Sequence, residues 1–394
     1  MPTVRTTGDA NGRHRHGRPR RDRRHLVSLG TGAFATLLSA TLFLAFGYGW
    51  YNFRDLNQGA HHLALNNVVG GANQHADSTT GAVTGKTQNI LLVGLDSRLG
   101  LSDAQKHKLH VGTDTFSLST DTIIIVHIPA DGSKATMISI PRDSYVDIPD
   151  GYLKNKINGA YADAWGDAKG SEDDKEAAGA DLLIATVKKL TGISIDHYVQ
   201  VNFEGFYQIA KAIGKIPVNL CQSVNDTIHH NRVTGQGGGS GFKMSAGHHD
   251  LNAVQALEFV RQRHNLHGGD YARVQRQRYF LSTAFDQIAS AGFLLNPIKL
   301  HNLIHEVDGA FYTDNGLSPL ALADQLVNLT GNKISGHTIP TKGTGVANIA
   351  GVDEDVDFVD PQQVRAFVAK MISGKKTGKH KHHAHHAPHR DCIY

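Results

Sequence analysis

Between residues 88 and 220 the apolar positions fall into short runs separated by polar or glycine-containing breaks. "QNILLVGLDSR" is almost continuously apolar and then turns polar, as a buried strand running into a loop does. "TDTIIIVHIP" and "KATMISIP" are β-branched runs joined by "ADGS", which predicts a hairpin. In "AAGADLLIATVKKLTG" the apolar residues recur at helical spacing, and Gly192 supplies the stop. "IDHYVQV" predicts a strand, "FEGFYQIAKAIG" a helix and "KIPVNL" a further strand. "LNAVQALEFVRQR" and "DYARVQRQRYFLSTAFDQIAS" predict helices. From about residue 296 to 371 the pattern reads helix, helix, strand, helix, with "GHTIP" and "VANIAGVDEDVDFVD" completing the same domain. Strands and helices interleave throughout. The expected fold class is therefore α/β, a three-layer αβα domain with a central mixed sheet and helices on both faces.

Three stretches lack this patterning. Residues 52–87 are rich in Asn, Gly, His, Ser and Thr and read as a linker ahead of a domain over 88–373. "GQGGGSG", residues 235–241, lacks the strand and helix flanks of a nucleotide-binding loop and reads as a flexible loop. Residues 374–394 include "GKKTGKHKHHAHHAPHR" and read as a disordered His-rich tail. Such a tract can bind metal; the favoured reading is a solvated, pH-sensitive basic tail. Cys392 falls in this tail, so it and Cys221 are expected to be free thiols, although an extracytoplasmic address would permit a disulfide.

Charge adds an address. Residues 1–25 include the basic run "RHRHGRPRRDRR", and residues 26–51 then carry no charge. As a helix that span covers about 37 Å, enough for a hydrocarbon core of roughly 30 Å. Tyr48, Trp50 and Tyr51 suit the interfacial belt. The expectation is a single transmembrane helix over 26–51, with residues 1–25 cytoplasmic and the rest outside. A cleavable signal peptide fits less well, because the apolar stretch exceeds the roughly 7–15 residues of a signal core. No basic stripe interleaved with aromatics runs through the body of the chain, so nucleic acid is not an expected partner.

Candidate chemistry gathers at element ends. Asp96 follows a predicted strand and Asp121 opens the next. Arg142 stands in "SIPRD", where Pro141 fixes the exit of a strand. Arg261 and Arg263 alternate in "FVRQRH" and reach one side if the helix ends there. Asp270 lies near a helix start, and Arg273 and Gln277, four apart, share a helical face. Each has a plain structural reading: a cap, a turn residue, a surface salt bridge or a solvated face. Together they make a coherent set. Paired carboxylates hold Mg²⁺ through oxygen, and arginines orient phosphate. That combination serves phosphoryl transfer, where positioning and charge stabilisation supply most of the catalysis.

The blocks "NILLVGLDSR", "TDTIIIVHIP", "MISIPRDSYVDIP", "KINGAYADAWG", "HYVQVNFEGFYQIAKAIGKIPVNL", "AGHHDLNAVQALEFVRQRH" and "GDYARVQRQRYFL" resemble, in order, those of the LytR–CpsA–Psr family. The resemblance covers roughly residues 88–290, with a continuation to near residue 371. It implies a membrane-anchored enzyme outside a Gram-positive cell. Such an enzyme moves a glycopolymer from a polyprenyl-pyrophosphate carrier to peptidoglycan through a phosphodiester. The resemblance further implies Mg²⁺ on Asp96 and Asp121, and pyrophosphate held by Arg142, Arg261, Arg263 and Arg273. Asp270 and Gln277 would share the cleft, and Asp121 or Asp270 would accept the acceptor's proton. The helices over 181–191, 203–213 and 279–290 would line a groove for the carrier. Ser119 departs from the pattern, since many members carry Arg there, and Arg98, Lys106 or Lys108 in a long following loop are the candidates to compensate. The alternatives are a pyrophosphate hydrolase on the same site and a non-catalytic membrane regulator or wall-binding scaffold.

Overall fold

The computed structural model describes residues 61–68, 87–98, 101–112, 117–130, 134–227, 239–263, 266, 269–290, 311–317, 334–373 and 392–394. Of the helix 269–290, the side chains described are those of residues 271–287. The predicted membrane span at 26–51 lies outside the described residues, among which no helix is long and apolar enough to cross a membrane.

A seven-stranded mixed sheet forms the centre. Its core is β2 (Gln88–Leu95), β3 (Thr120–Ile128) and β4 (Ala135–Ser139), all paired antiparallel, with β3 and β4 forming the predicted hairpin. β7 (His197–Val201) runs parallel to β2 on one side, and β13 (Ile334–Thr338) runs parallel to β4 on the other. β12 (Phe311–Asp314) and β1 (His61–Leu63) extend the sheet beyond β7.

β1 corrects the domain boundary. Residues 61–68 belong to the fold and not to a linker: Leu63, Leu65 and Val68 are buried, and the backbone N–H groups of Asn66 and Asn67 donate to Asp181. A three-residue strand in a polar setting leaves too little alternation to be read from sequence.

Helices cover both faces, which makes the predicted three layers. On one face lie α2 (Gly159–Asp167) and α3 (Glu172–Thr191), joined by the C-terminal α7 (Pro361–Ile372). α3 starts earlier than its apolar pattern, where Ser171 and Asp174 form a capping box, and ends at Gly192 with φ 78°. This face receives Leu91, Val93, Ile123, Ile125 and Ile138 from the sheet. One buried polar knot interrupts the apolar core. Tyr161 Oη and Gln200 Nε2 donate to Glu176, and Tyr198 Oη donates to Gln200 Oε1 at 2.6 Å.

The opposite face carries α4 (Phe203–Ile213), α5 (Ala253–Arg261) and α6 (Gly269–Ser290). The alternate sheet residues Ile90, Ile124, Val126, Ala135 and Met137 point this way. β8 (Ile216–Leu220) is a strand as predicted, but it leaves the central sheet and pairs with β11 (Gly247–Leu251), next to a short ribbon of β9 (Val224–Asn225) and β10 (Lys243–Met244). β14 (Gly343–Ile349) and β15 (Val352–Phe358) form a hairpin that continues through β5 (Ser144–Val146) into β6 (Asn155–Lys156) as a side sheet.

The cysteine expectation is overturned. Cys221 and Cys392 form a disulfide, with Cα atoms 5.0 Å apart. Ile393 pairs in parallel with Leu220, its N–H donating to the Asn219 carbonyl at 2.7 Å. Arg276 on α6 donates to the Tyr394 carbonyl at 2.8 Å. Residues 392–394 are thus a short added strand at the edge of β8. The polar composition of residues 374–391 hides this, because a tail's ordering depends on where its end docks.

Candidate active site

The ends of β2, β3 and β4 meet at one edge of the central sheet, and most of the candidate residues meet there too. Asp96 is the first residue after β2, and its N–H donates to the Ser119 carbonyl at 2.9 Å, beside the start of β3. Asp121 is the second residue of β3. Arg142 leaves β4 after Pro141, and its Nη1 donates to Asp121 Oδ1 at 2.6 Å while its Nε donates to Asp143 at 3.3 Å.

α5 stops at Arg261, and extended backbone at Gln262 returns the chain to the cleft. Arg263 then donates through Nη2 to Asp121 Oδ2 at 3.4 Å. Arg273 on α6 brings Nη1 to 3.9 Å from the same oxygen and is almost fully buried. Burial alone would raise the Asp121 pKa, but Arg142, Arg273 and Arg263 together pull it below the usual carboxylate value.

Asp96 is the electrostatic opposite. Its pKa is raised, first by burial and then by repulsion from Asp121, against the attraction of Arg98, Arg261 and Arg263. Arg98 Nη1 lies 3.1 Å from Asp96 Oδ1. The angle is poor, however, and that buried oxygen accepts no hydrogen bond. Arg261 does not touch Asp121. It donates to the carbonyls of Leu109 and His110, and its pKa is lowered by burial. Arg98 likewise donates to the Val111 carbonyl. Both guanidinium groups lie over the Phe203 ring, at 5.6 Å for Arg98 and 4.9 Å for Arg261.

The long loop after Asp96 therefore has a structural purpose. Its short helix α1 (Asp103–Lys108) carries a capping box at Ser102–Gln105, and the turn after it supplies the carbonyls that fix both arginines. Of the three cations weighed against Ser119, Arg98 is the one at the carboxylates. Lys106 pairs with Asp103, and Lys108 reaches the Tyr207 hydroxyl.

Gln277 is buried one turn along α6 from Arg273. Asp270 is the second residue of α6, and its side chain lies outside the described residues. Sequence reasoning missed Phe203 and Lys156, whereas Asp143 stands in the "SIPRD" stretch as the acid beside Arg142. Lys156 pairs with Glu354 of β15 and stands 3.9 Å from Asp143, which ties the side sheet to Arg142. The one signal for Phe203 was its place at the start of an amphipathic helix, where core packing is the ordinary reading.

The chemistry of this donor set suits a divalent cation. Among the described residues no three His, Cys, Asp or Glu side chains converge. Two adjacent carboxylates do, and one of them keeps a buried oxygen with no hydrogen bond. Mg²⁺ asks for no more from a protein when phosphates supply the rest of its shell.

Two carboxylates and a ring of arginines thus meet at one edge of a mixed sheet in an αβα fold. The LytR_cpsA_psr family model matches residues 61–366, and the chain belongs to that family. It is 35% identical to the cell wall biosynthesis protein LcpA of Corynebacterium glutamicum over 80% of this chain and 63% of that protein. The chain thus spans less than two thirds of that relative's length. It is 32% identical to the polyisoprenyl-teichoic acid–peptidoglycan teichoic acid transferase TagU of Oceanobacillus iheyensis, over 63% of this chain and 75% of TagU. The crystal structure of Bacillus subtilis TagV shares the fold, with a TM-score of 0.52 at 22% identity, covering 74% of this chain and all of the solved chain.

Proposed function

We propose that this protein is a membrane-anchored phosphotransferase. It moves a glycopolymer from a polyprenyl-pyrophosphate carrier to peptidoglycan through a phosphodiester and releases polyprenyl phosphate. The observation that carries the reading is Asp121 ringed by Arg142, Arg263 and Arg273 beside the buried, unbonded oxygen of Asp96. Family membership and the TagU relative support it.

Asp96 and Asp121 would hold Mg²⁺, which when bound supplies Lewis-acid neutralisation of pyrophosphate oxygens. Arg142, Arg263 and Arg273 rest on Asp121, where a dianionic group would compete for their donors. Arg261, held by backbone carbonyls, adds charge that needs no reorganisation during reaction. A hydroxyl of the acceptor attacks the phosphorus nearer the glycan. The bond from that phosphorus to the bridging oxygen breaks, and polyprenyl phosphate leaves. Asp121, held ionised by its arginines, is a weak base. The hydroxyl proton therefore falls to another group, for which Asp270 is the sequence candidate.

The carrier's hydrocarbon would lie on the α6 side of the sheet, where Leu92, Val199, Leu281 and Ile334 are only partly buried. The uncharged span 26–51 would anchor the chain, with the domain outside a Gram-positive cell.

The test is a transfer assay with lipid-linked polymer, with and without peptidoglycan, using wild type, Asp96→Ala and Asp121→Ala. Phosphodiester product that needs both peptidoglycan and both carboxylates is expected. Release of lipid without acceptor would mark a hydrolase, and full activity in folded Ala variants would leave only a scaffold.

A further inference from the structure

Arg278 on α6 is a buried guanidinium that the proposed chemistry does not use. It is 8% exposed. Its Nη1 donates to Thr338 Oγ1 at 2.7 Å and to Ser139 Oγ at 3.4 Å, both neutral hydroxyls. The other five site arginines all have carboxylates among their close partners or strongest fields. Arg278 does not: burial lowers its pKa to about 10, and among the described residues no carboxylate opposes it. A buried charge without a counter-charge is a poor choice for stability alone. The Nε–Nη2 edge, the side of the fork that engages phosphate or carboxylate in pairs, meets no acceptor among the described residues. The space around the group is shaped for it. A Cβ on Gly336 would stand 3.0 Å from both Cδ and Nε of Arg278, so a glycine makes the room.

Its position says what kind of anion would arrive. Ser139 is three residues before Arg142 on β4, and Arg278 follows Gln277 directly on α6. On the other side come Leu281, one turn further along α6, and Ile334, two residues before Gly336 on β13. Both pack, like Leu92 and Val199, as partly buried apolar residues against the buried cluster on this face of the sheet. Arg278 thus stands where the charged cleft gives way to apolar surface, the boundary an amphiphile with an anionic head would straddle.

We propose that Arg278 binds the lipid-side phosphate of the donor, its Nε–Nη2 edge receiving phosphoryl oxygens while the hydrocarbon continues over Leu281 and Ile334. The inference rests on the lipid-linked donor proposed above. It makes Arg278 a binding residue for the group that departs as polyprenyl phosphate.

Calorimetry on the full-length chain tests it, with geranyl phosphate and inorganic phosphate as probes and Arg278→Met as the variant. Met keeps length and removes the charge. The expected result is a melting temperature equal to or above wild type, with geranyl phosphate bound about tenfold or more weakly and inorganic phosphate little changed. Unchanged affinity for geranyl phosphate overturns the proposal. An equal loss for both probes overturns the lipid-side assignment. If the Met variant does not fold, Arg278→Lys retains charge without the fork and must still weaken geranyl phosphate. Wild type that binds no geranyl phosphate overturns the lipid-linked donor itself, whereas binding indifferent to residue 278 overturns this inference alone.

Discussion

Arg142 shows how one side chain can serve both the resting site and the loaded one. It bonds Asp121 at 2.6 Å and Asp143 at 3.3 Å, so its planar fork is already spread between two acids. Lysine keeps the charge and loses that geometry. Charge-assisted hydrogen bonds are worth about 1.5–3 kcal/mol, so Arg142→Lys is expected to lower transfer by roughly ten- to a hundredfold. Arg142→Ala should lower it further. A transfer assay beside a melting curve checks this. Full activity in the Lys variant, or a large loss of melting temperature as the main effect, would make Arg142 a structural ion pair. Asp96 carries the matching prediction for the metal. Asp96→Asn removes a charge whose buried oxygen has no hydrogen bond, so it should abolish measurable Mg²⁺ binding in calorimetry with little change in melting temperature. Of these residues, Asp96, Asp121 and Arg142 were legible as polar groups at strand ends. Phe203 was not, because an aromatic at a helix start looks the same whether it packs in a core or carries two guanidinium groups.

At the scale of elements, the edge strand at β8 owes its ending to a covalent link that spans 171 residues of sequence. Removing a native disulfide costs about 2–5 kcal/mol. Cys392→Ser, or reduction of the wild type, is therefore expected to lower the melting temperature by several degrees and to release residues 392–394 from β8. Hydrogen exchange at Cys221 and Ile393 reads the release, since their N–H groups bond across that edge. No change in either would mean the strand holds without the bond. The Glu176 knot beneath α3 gives a pH prediction. Burial is the main cause raising its pKa above the ordinary 4.5, opposed by its bonds to Tyr161 and Gln200. A carboxyl raised in the folded state contributes stability that is present below the unfolded value and lost as pH rises through the folded one. Relative to Glu176→Gln, wild type should thus lose melting temperature as pH rises above the ordinary 4.5. A difference that stays constant with pH would contradict the assignment. Hydrophobic periodicity predicted β2, β3, β4, β7, α3, α4, α5 and α6, because each buries a face at a regular spacing. It could not predict that β8 would desert the central sheet, since pairing partners lie far apart in sequence.

At the scale of the whole molecule, the proposed address predicts that protease added to intact protoplasts degrades the body of the chain. Complete protection would place the domain inside the cell and remove peptidoglycan as its acceptor. The sequence by itself determined what local physics controls. Alternation and helical spacing set the elements, Gly192 and the Ser171 box set the ends of α3, and charge asymmetry marked residues 26–51 as a candidate span. Ordered motifs also pointed to the family that residues 61–366 match. Tertiary structure alone decided which groups meet across long separations. Asp121 joined Arg263 over 142 residues, Arg98 displaced Lys106 and Lys108 as the cation beside Asp96, and Cys392 found Cys221. The physical reason is the same in each case. A side chain's charge and size are written at its own position, but its field, its burial and its partners belong to whatever the fold brings beside it.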